Sequence, residues 1–172
     1  MSGPEGSSHK CSKCVQWFLF KEEDIFMNNS FDKDLIKQTL VESKKAFDNN
    51  DVPVGAILVI DNKIVCRSHN KCVANNNKLY HAEILAINEA IEKGLDLSKA
   101  SLYISLEPCL MCLGAIINAG INKIYFGAFD KTEGAFTHFG VSLTIHEVEV
   151  HYLENKDCSK IMSSFFEKVR NK

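Results

Sequence analysis

The stretch SLYISLEPCLMCLGAIINAG, residues 101–120, joins a predicted strand to a predicted helix through a proline. Its first six residues are mostly apolar and bounded by turn signals, which predicts a short strand. Pro108 suits the start of a helix because it has no amide hydrogen to leave unpaired. The apolar run that follows stops at Gly120, a common helix terminus. A strand that runs into a helix is the building unit of α/β proteins, so this stretch indicates the fold class.

The segments on either side continue the alternation of helices and strands. Residues 32–49 carry apolar side chains at helical spacing, and residues 54–60 and 64–68 flank an Asp-Asn-Lys turn as the arms of a hairpin. This order predicts helices that cover a mixed sheet. The other predicted elements are a helix at 81–93, strands at 124–126 and 146–153, a loop at 127–141 and a closing helix at 158–170.

Length and composition are those of one globular domain. The chain has 172 residues, 45% of them hydrophobic and 24% charged, enough for one core and too few for two. No stretch approaches the roughly 18 apolar residues of a membrane span, and the aromatic run at 17–20 is shorter than a signal-peptide core of about 7–15 residues. We therefore expect a cytoplasmic protein with no membrane partner. The net charge of −2 predicts no general attraction to nucleic acid, so any such binding needs a local basic patch.

Two of the seven cysteines stand three residues apart where the helix after Pro108 begins. An odd number of cysteines without secretory features argues against a disulfide framework. Cys109 and Cys112 lie in one helical turn, so both sulfurs can face the same point, and the helix N-terminus favours their thiolate forms. By itself the pair is compatible with buried core, a redox couple or half of a metal site.

His81, at the start of the preceding predicted helix, offers the third ligand that a metal site needs. If the two helices lie side by side on one sheet face, their N-termini converge on one point. Three protein ligands plus a water form a catalytic zinc site, whereas a structural zinc site is usually closed by four. Glu83, two residues beyond His81, is then placed to carry protons between the water and a substrate. A capping histidine, a first-turn acid and core thiols are the alternatives for these residues taken singly.

The pattern His-x-Glu followed by Pro-Cys-x-x-Cys resembles the signature of the zinc-dependent nucleobase deaminases. From about residue 35 to residue 170 the chain is similar to the bacterial tRNA adenosine deaminases. The stretches that carry this similarity are DVPVGA at 51–56, YHAE at 80–83, SLEPCLMC at 105–112, YFGAFD at 125–130 and the Phe-Phe pair at 165–166.

The resemblance implies a fold, an activity and partners. The fold would be a three-layer α/β/α sandwich of the cytidine deaminase type with a central mixed five-stranded sheet. The activity would be zinc-dependent hydrolytic deamination of adenosine to inosine at the wobble position of tRNA, with the anticodon arm as partner. The subunits would pair as homodimers, each holding one Zn²⁺ with a bound water on His81, Cys109 and Cys112, and Glu83 would be the catalytic residue.

The resemblance also implies a pocket for the base. Asn70 would hydrogen-bond the flipped base, Pro53 and Val54 would line the pocket with Ala82 beside them, and Asp130 would lie near the nucleotide backbone. On spacing alone, Asn70 is a loop residue after a strand and Asp130 a turn residue.

Two segments depart from the family pattern. Residues 1–30, with Cys11 and Cys14, form an N-terminal extension that we expect to be flexible and separate from a deaminase domain at 31–172. The segment 136–145 is shorter than its counterpart in the family, and it should lie near the substrate.

Two other functions remain open from the sequence. The first is a deaminase of a free base, nucleoside or nucleotide (cytosine, guanine or deoxycytidylate type) on the same scaffold. Such an enzyme needs a closed pocket rather than an open groove with a basic rim. The second is a non-catalytic module with structural zinc, which needs His69 or Cys72 as a fourth ligand.

Overall fold

The computed structural model describes residues 30–143 and 148–171. The N-terminal extension with its two cysteines, and the end of the short segment 136–145, lie outside the described residues. The predicted alternation of elements is confirmed. The helices are α1 (Ser30–Asp48), α2 (Ala82–Glu92), α3 (Leu110–Asn118) and α4 (Lys156–Arg170), and the strands are β1 (Gly55–Ile60), β2 (Lys63–His69), β3 (Ser101–Ile104), β4 (Lys123–Phe126) and β5 (Glu149–Tyr152).

Helix α4 begins earlier than the sequence pattern predicts. We expected it from residue 158, where the apolar spacing starts, but it begins at Lys156. The side chain of Asn155 accepts hydrogen bonds from the backbone N–H groups of Asp157 and Cys158. This N-cap satisfies amides that a helix start otherwise leaves unpaired, so two polar residues join the helix before its apolar face begins.

The five strands form one mixed sheet in the order β2-β1-β3-β4-β5. β1 pairs antiparallel with both β2 and β3, whereas β3, β4 and β5 run parallel. The carboxyl ends of β2, β3 and β4 and the amino end of β1 therefore meet at one edge of the sheet. The chain segments that follow His69, Ile104 and Phe126 all leave the sheet at this edge.

Helices cover both faces of the sheet and complete the predicted three-layer α/β/α sandwich. α1 contacts α4, α2 contacts α3, and α1 and α2 each contact β1. The packing of α1 on β1 is so close that a Cβ atom on Gly55 would lie 2.1 Å from the carbonyl oxygen of Thr39. The sheet core between the layers is apolar and buried; its members include Ile57, Leu58, Leu102, Ile104, Ile124 and Phe126.

A buried serine pair joins α1 to the sheet edge where the segments after the strands emerge. The Ser43 hydroxyl donates to Ser105 Oγ at 2.9 Å, and the backbone N–H of Gly55 donates to the same oxygen at 3.0 Å. These bonds hold the ends of β1 and β3 together, which keeps the two flanking segments in register. Among the described residues, no helix combines the length and apolar character needed to cross a bilayer.

Candidate active site

A cavity of about 320 Å³ opens at this sheet edge, between the segments that follow the strands. It collects side chains from four parts of the chain that are far apart in sequence. Its walls are formed by Asp51, Val52, Val54, Asn70, Cys72, Val73, Lys78, His81, Glu83, Leu106, Glu107, Cys109, Asp130 and Glu133.

Three metal-ligand side chains converge at the cavity. His81 is the N-cap of α2 and Cys109 the N-cap of α3, while Cys112 lies buried in the first turn of α3. The Nδ1 atom of His81 lies 3.7 Å from Cys109 Sγ and 3.6 Å from Cys112 Sγ. A tetrahedral zinc with bonds of about 2.05 Å to nitrogen and 2.3 Å to sulfur separates such atoms by about 3.6 Å. The donor types and spacings therefore fit a zinc ion.

The ionisation of each of these three groups depends on the other two. The Cys112 thiol donates to Cys109 and His81 lies beside it, and together they lower the pKa of Cys109 to about 4. The same bond and burial raise the pKa of the Cys112 thiol. The hydrogen bond to Cys109 raises the pKa of His81. A cation bound here would replace these protons and take over their role of balancing the thiolate charge.

Glu83 places a carboxyl group beside this cluster with one oxygen unsatisfied. The residue is only 3% exposed, and its Oε2 has no hydrogen-bond partner among the residues that the structure describes. Burial raises the pKa of Glu83 to about 7. Because a buried polar atom without a partner is costly, such an atom at a cavity wall indicates a missing ligand. A carboxyl group that titrates near neutrality can both accept and return a proton.

Asn70 links the two sides of the cavity. It is 4% exposed, and its Oδ1 accepts a hydrogen bond from the backbone N–H of Ala82 at 2.8 Å. Its own backbone N–H donates to the carbonyl of Val54 at 3.1 Å. Since the carbonyl oxygen already has a protein partner, the amino group of this amide is the part that can donate to a substrate.

The other predicted pocket residues differ in position. Val54 lies on the cavity wall, whereas Pro53 is fully buried and is not among the residues that line it. Val52 lines the cavity instead, on the other side of Pro53. Ala82 is also fully buried and reaches the site through its N–H group alone.

Asp130 lies on the cavity wall and also closes a turn. Its Oδ1 accepts hydrogen bonds from the backbone N–H groups of Thr132 and Glu133 and from the Thr132 hydroxyl. The carboxylate thus stabilises the loop that carries it, which matches the turn role that spacing alone indicates.

Neither predicted fourth ligand joins the metal cluster. The Nδ1 atom of His69 lies 3.2 Å from Glu42 Oε2, and the Cys72 thiol is directed towards the carbonyl of Lys78. Within residues 30–143 and 148–171, His81, Cys109 and Cys112 form the one group whose ligand atoms converge. A metal ion bound by this group would therefore have three protein ligands from the described residues.

Two buried acids at the site were not predicted from the sequence. Asp51 is 1% exposed and accepts hydrogen bonds from the N–H groups of Val52 and Val73. Glu107 is 2% exposed and accepts four hydrogen bonds from the loop after β4. An acidic residue inside an otherwise apolar stretch, such as Glu107 in SLEPCLMC, is the sequence signal that could have indicated a buried acid.

Comparisons with known proteins agree with this geometry. The profile of the MafB19-like deaminase family matches residues 30–170. The tRNA-specific adenosine deaminase of Rickettsia felis is 37% identical over 144 residues, which cover 78% of this chain and 100% of that protein. The tRNA-specific adenosine deaminase of Bacillus subtilis is also 37% identical, over 80% of this chain and 89% of its own length.

Solved structures show the same architecture. One, from a study of A-to-I editing by tRNA:A34 deaminases at the wobble position of transfer RNA, has a TM-score of 0.68 and 35% identity, covering 75% of this chain and 99% of that one. The guanine deaminase of Nitrosomonas europaea has a TM-score of 0.63 at 19% identity, covering 76% of this chain and 81% of that one. At this level of identity, the similarity to the guanine deaminase shows a shared fold and nothing more.

Proposed function

The chain belongs to the MafB19-like deaminase family and to its tRNA-specific adenosine deaminases, and on this basis we propose that it converts adenosine to inosine at the wobble position of a tRNA anticodon. One observation carries the chemistry: three converging metal ligands lie beside a buried carboxyl group with an unsatisfied oxygen. In the reaction, water adds at C6 of adenine and ammonia leaves, so a site needs an activated water and a proton carrier.

We assign a zinc ion to His81, Cys109 and Cys112. One imidazole nitrogen and two sulfurs form a donor set that zinc favours, and their spacing supports the assignment. When bound, zinc supplies a Lewis acid that brings the pKa of a coordinated water close to neutrality.

Glu83 is the proton carrier in this proposal. Its free Oε2 is the position from which it accepts the proton of the attacking water. It delivers this proton to the ring nitrogen. It then takes a second proton from the hydroxyl group now on C6 and passes it to the amine, so that the C6–N bond breaks as the carbonyl forms and the carboxyl group ends the cycle in its starting form. Burial supports this role because a pKa of about 7 allows both transfers near neutral pH.

Asn70 and Val54 hold the base for this transfer. The Asn70 amide donates to the base, while Val54 provides an apolar wall against one of its faces. A cavity of about 320 Å³ is of the size that one small ligand needs, so a single flipped nucleoside fits better than a stacked pair.

The rim of the cavity supports a nucleic acid rather than a free base. Lys78 lies at the cavity, and the exposed Lys71 and Lys131 directly follow the lining residues Asn70 and Asp130. These three lysines lie on the two loops that border the opening, where they can contact phosphates on either side of a flipped nucleotide.

The oligomeric state and the cellular location of the protein follow from the same proposal. We infer a homodimer in the cytoplasm, where the tRNA substrate is found, with a deaminase domain at 31–172. Two large apolar side chains next to the metal ligands, Leu110 at 43% and Met111 at 36% exposure, support an interface at the start of α3.

The test compares RNA and small substrates. Zinc-loaded protein is incubated with an anticodon stem-loop that carries adenosine at the wobble position, and separately with free adenosine, cytidine, cytosine and guanine. Mass spectrometry should find inosine in the stem-loop alone. A stem-loop with the adenosine moved one position is the matched control. Turnover of a free base or nucleoside instead would assign the protein to the small-molecule deaminases.

A further inference from the structure

Glu107 occupies an unusual position between β3 and the metal-ligand helix α3. It is 2% exposed, and both carboxylate oxygens accept hydrogen bonds from the loop after β4. Oε1 accepts from the backbone N–H groups of Phe136 at 2.8 Å and Thr137 at 2.7 Å. Oε2 accepts from the backbone N–H of Asp130 at 3.0 Å and the Thr137 hydroxyl at 2.6 Å.

The loop is wrapped closely around this carboxylate. A Cβ atom on Gly134 would lie 2.5 Å from the Glu107 carboxyl carbon and 2.4 Å from the carbonyl oxygen of Asp130. At the two ends of the contact, the N–H of Glu107 donates to the carbonyl of Ala128, and the N–H of Ala135 donates to the carbonyl of Pro108. The segment 128–137 thus contacts Glu107 through both its backbone and its side chain.

This segment is also a wall of the substrate cavity. Asp130 and Glu133 line the cavity, and the bridge between Gly134 and Cys109 joins the segment to a metal ligand. Any displacement of the segment would move one side of the cavity relative to the metal centre.

We propose that Glu107 is a positioning residue for deamination: its carboxylate holds segment 128–137 as the wall of the cavity, beside the metal centre. The inference rests on the proposed function of the same site. Three backbone N–H groups and a hydroxyl point at the side chain, and only a group with two acceptor oxygens satisfies them all. Glu107 does not need to contact the reacting atoms for this role.

Glu107→Gln tests the charge at constant shape. The amide has one acceptor oxygen and one NH₂ group, and the NH₂ group cannot accept from a backbone N–H. With its oxygen towards Phe136 and Thr137, the amide turns its NH₂ group to the N–H of Asp130, so that end of the segment is released. Gly134→Ala acts from the opposite side by pushing the segment away from the carboxylate.

Thr137→Val is the mildest variant because it removes the hydroxyl bond and leaves the backbone bonds in place. Glu92→Gln, on an exposed position of α2, is the control for the same chemical change away from the site.

The first readout is amide hydrogen exchange in zinc-loaded protein. In Glu107→Gln the backbone amide of Asp130 should exchange about 10-fold faster or more, given the strength of hydrogen bonds to charged groups. The second readout is steady-state turnover of the anticodon stem-loop. KM should rise about 10-fold with kcat reduced about threefold or less, because Glu83 and the metal ligands stay in place. Bound zinc should remain one per subunit, and Glu92→Gln should match the parent.

Each result bears on the inference. Unchanged exchange at Asp130 in Glu107→Gln would overturn it, as would faster exchange with unaltered KM. Lost zinc, or a fallen kcat at constant KM, would assign Glu107 to the metal centre instead. If Glu107→Gln does not fold, Thr137→Val becomes the deciding variant. Its KM should rise by less than the 10-fold expected for Glu107→Gln, and an unchanged KM would overturn the inference. A parent protein that leaves the stem-loop unchanged would refute the proposed function, while the exchange rates would still decide whether Glu107 holds the segment.

Discussion

Glu83 is unusual at the scale of single residues because a buried acid normally has its oxygens hydrogen-bonded. Here the residue is 3% exposed, and within the described part of the chain its Oε2 has no hydrogen-bond partner. Nothing in the packing of α2 requires an acid at this position, since its neighbours Ala82 and Ala86 are small and apolar. A buried acid that costs stability and lines a cavity is best explained by a catalytic role.

Glu83→Gln should therefore remove activity and leave the fold intact. The amide keeps the shape of the side chain but cannot carry a proton, so kcat should fall by about 10²–10⁴-fold. The stem-loop assay measures the loss, and metal analysis should find zinc unchanged. Since an amide is cheaper to bury than an ionised carboxylate, the variant should be at least as stable as the parent to denaturant. Turnover at the parent rate would refute the role of Glu83.

Cys109→Ser should remove the metal as well as the activity. A neutral serine hydroxyl is a poor zinc ligand, because zinc in proteins favours thiolate and imidazole donors. The readout is zinc per subunit after dialysis against a chelator.

Cys72→Ser is the matched control for the cysteine prediction. Cys72 lines the same cavity but does not belong to the converging group. The Cys72→Ser protein should therefore retain its zinc. Loss of zinc from this variant would indicate that Cys72 is a fourth protein ligand and that the site is structural.

At the scale of elements, the site depends on the meeting of two helix N-termini. α2 and α3 contact each other, and each presents its N-cap residue, His81 or Cys109, at the same sheet edge. The positive end of each helix dipole favours the thiolates there. This convergence requires the strand ends to stay aligned, and the Ser43–Ser105–Gly55 contacts of α1 hold them.

Gly55→Ala should disrupt that alignment. The added methyl group would lie 2.1 Å from a backbone oxygen of α1, which cannot move without separating the helix from the sheet. We expect a loss of about 3 kcal/mol or more in the free energy of unfolding, measured by chemical denaturation.

Gly114→Ala, the same substitution at another position, should instead increase the free energy of unfolding. Gly114 lies inside α3, and a Cβ there meets no atom within 4 Å. The higher helix propensity of alanine should raise the free energy of unfolding by up to about 1 kcal/mol. Equal effects of the two substitutions would contradict the close packing of α1 on β1.

At the scale of the whole molecule, the described residues form one sandwich that the family profile spans from 30 to 170. The same scaffold is found in a guanine deaminase at 19% identity, so the fold by itself does not specify the substrate. We therefore expect the loops at the sheet edge, among them segment 128–137, to set the specificity.

A chain that starts at residue 28 should keep the properties of the full chain. The five strands and four α-helices of the described residues lie within 30–170, and so do the three candidate metal ligands. We expect the unfolding midpoint to change by about 2 °C or less and the zinc content to stay the same. Loss of zinc or a large drop in the midpoint would show that residues 1–27 contribute to the domain.

Much of the fold could be read from the sequence because its signals are local. Helix and strand periodicity, the glycine after α3 and the proline before it each act within a few residues. The start of α4 was misplaced because the polar Asn155 cap lies outside the apolar pattern. The convergence of His81, Cys109 and Cys112 also followed from local spacing, since the two cysteines share one helical turn and the histidine begins the neighbouring helix.

The sequence by itself determined the α/β alternation and indicated the three candidate metal ligands and the acid near them, because short-range spacing encodes each. Only the tertiary structure decided which residues face the cavity. It placed Val52 rather than Pro53 on the wall, turned His69 towards Glu42, and folded segment 128–137 around Glu107. The partners of Glu107 stand 23 to 30 residues away along the chain, and no local pattern encodes contacts that form only when β3 and β4 pair side by side.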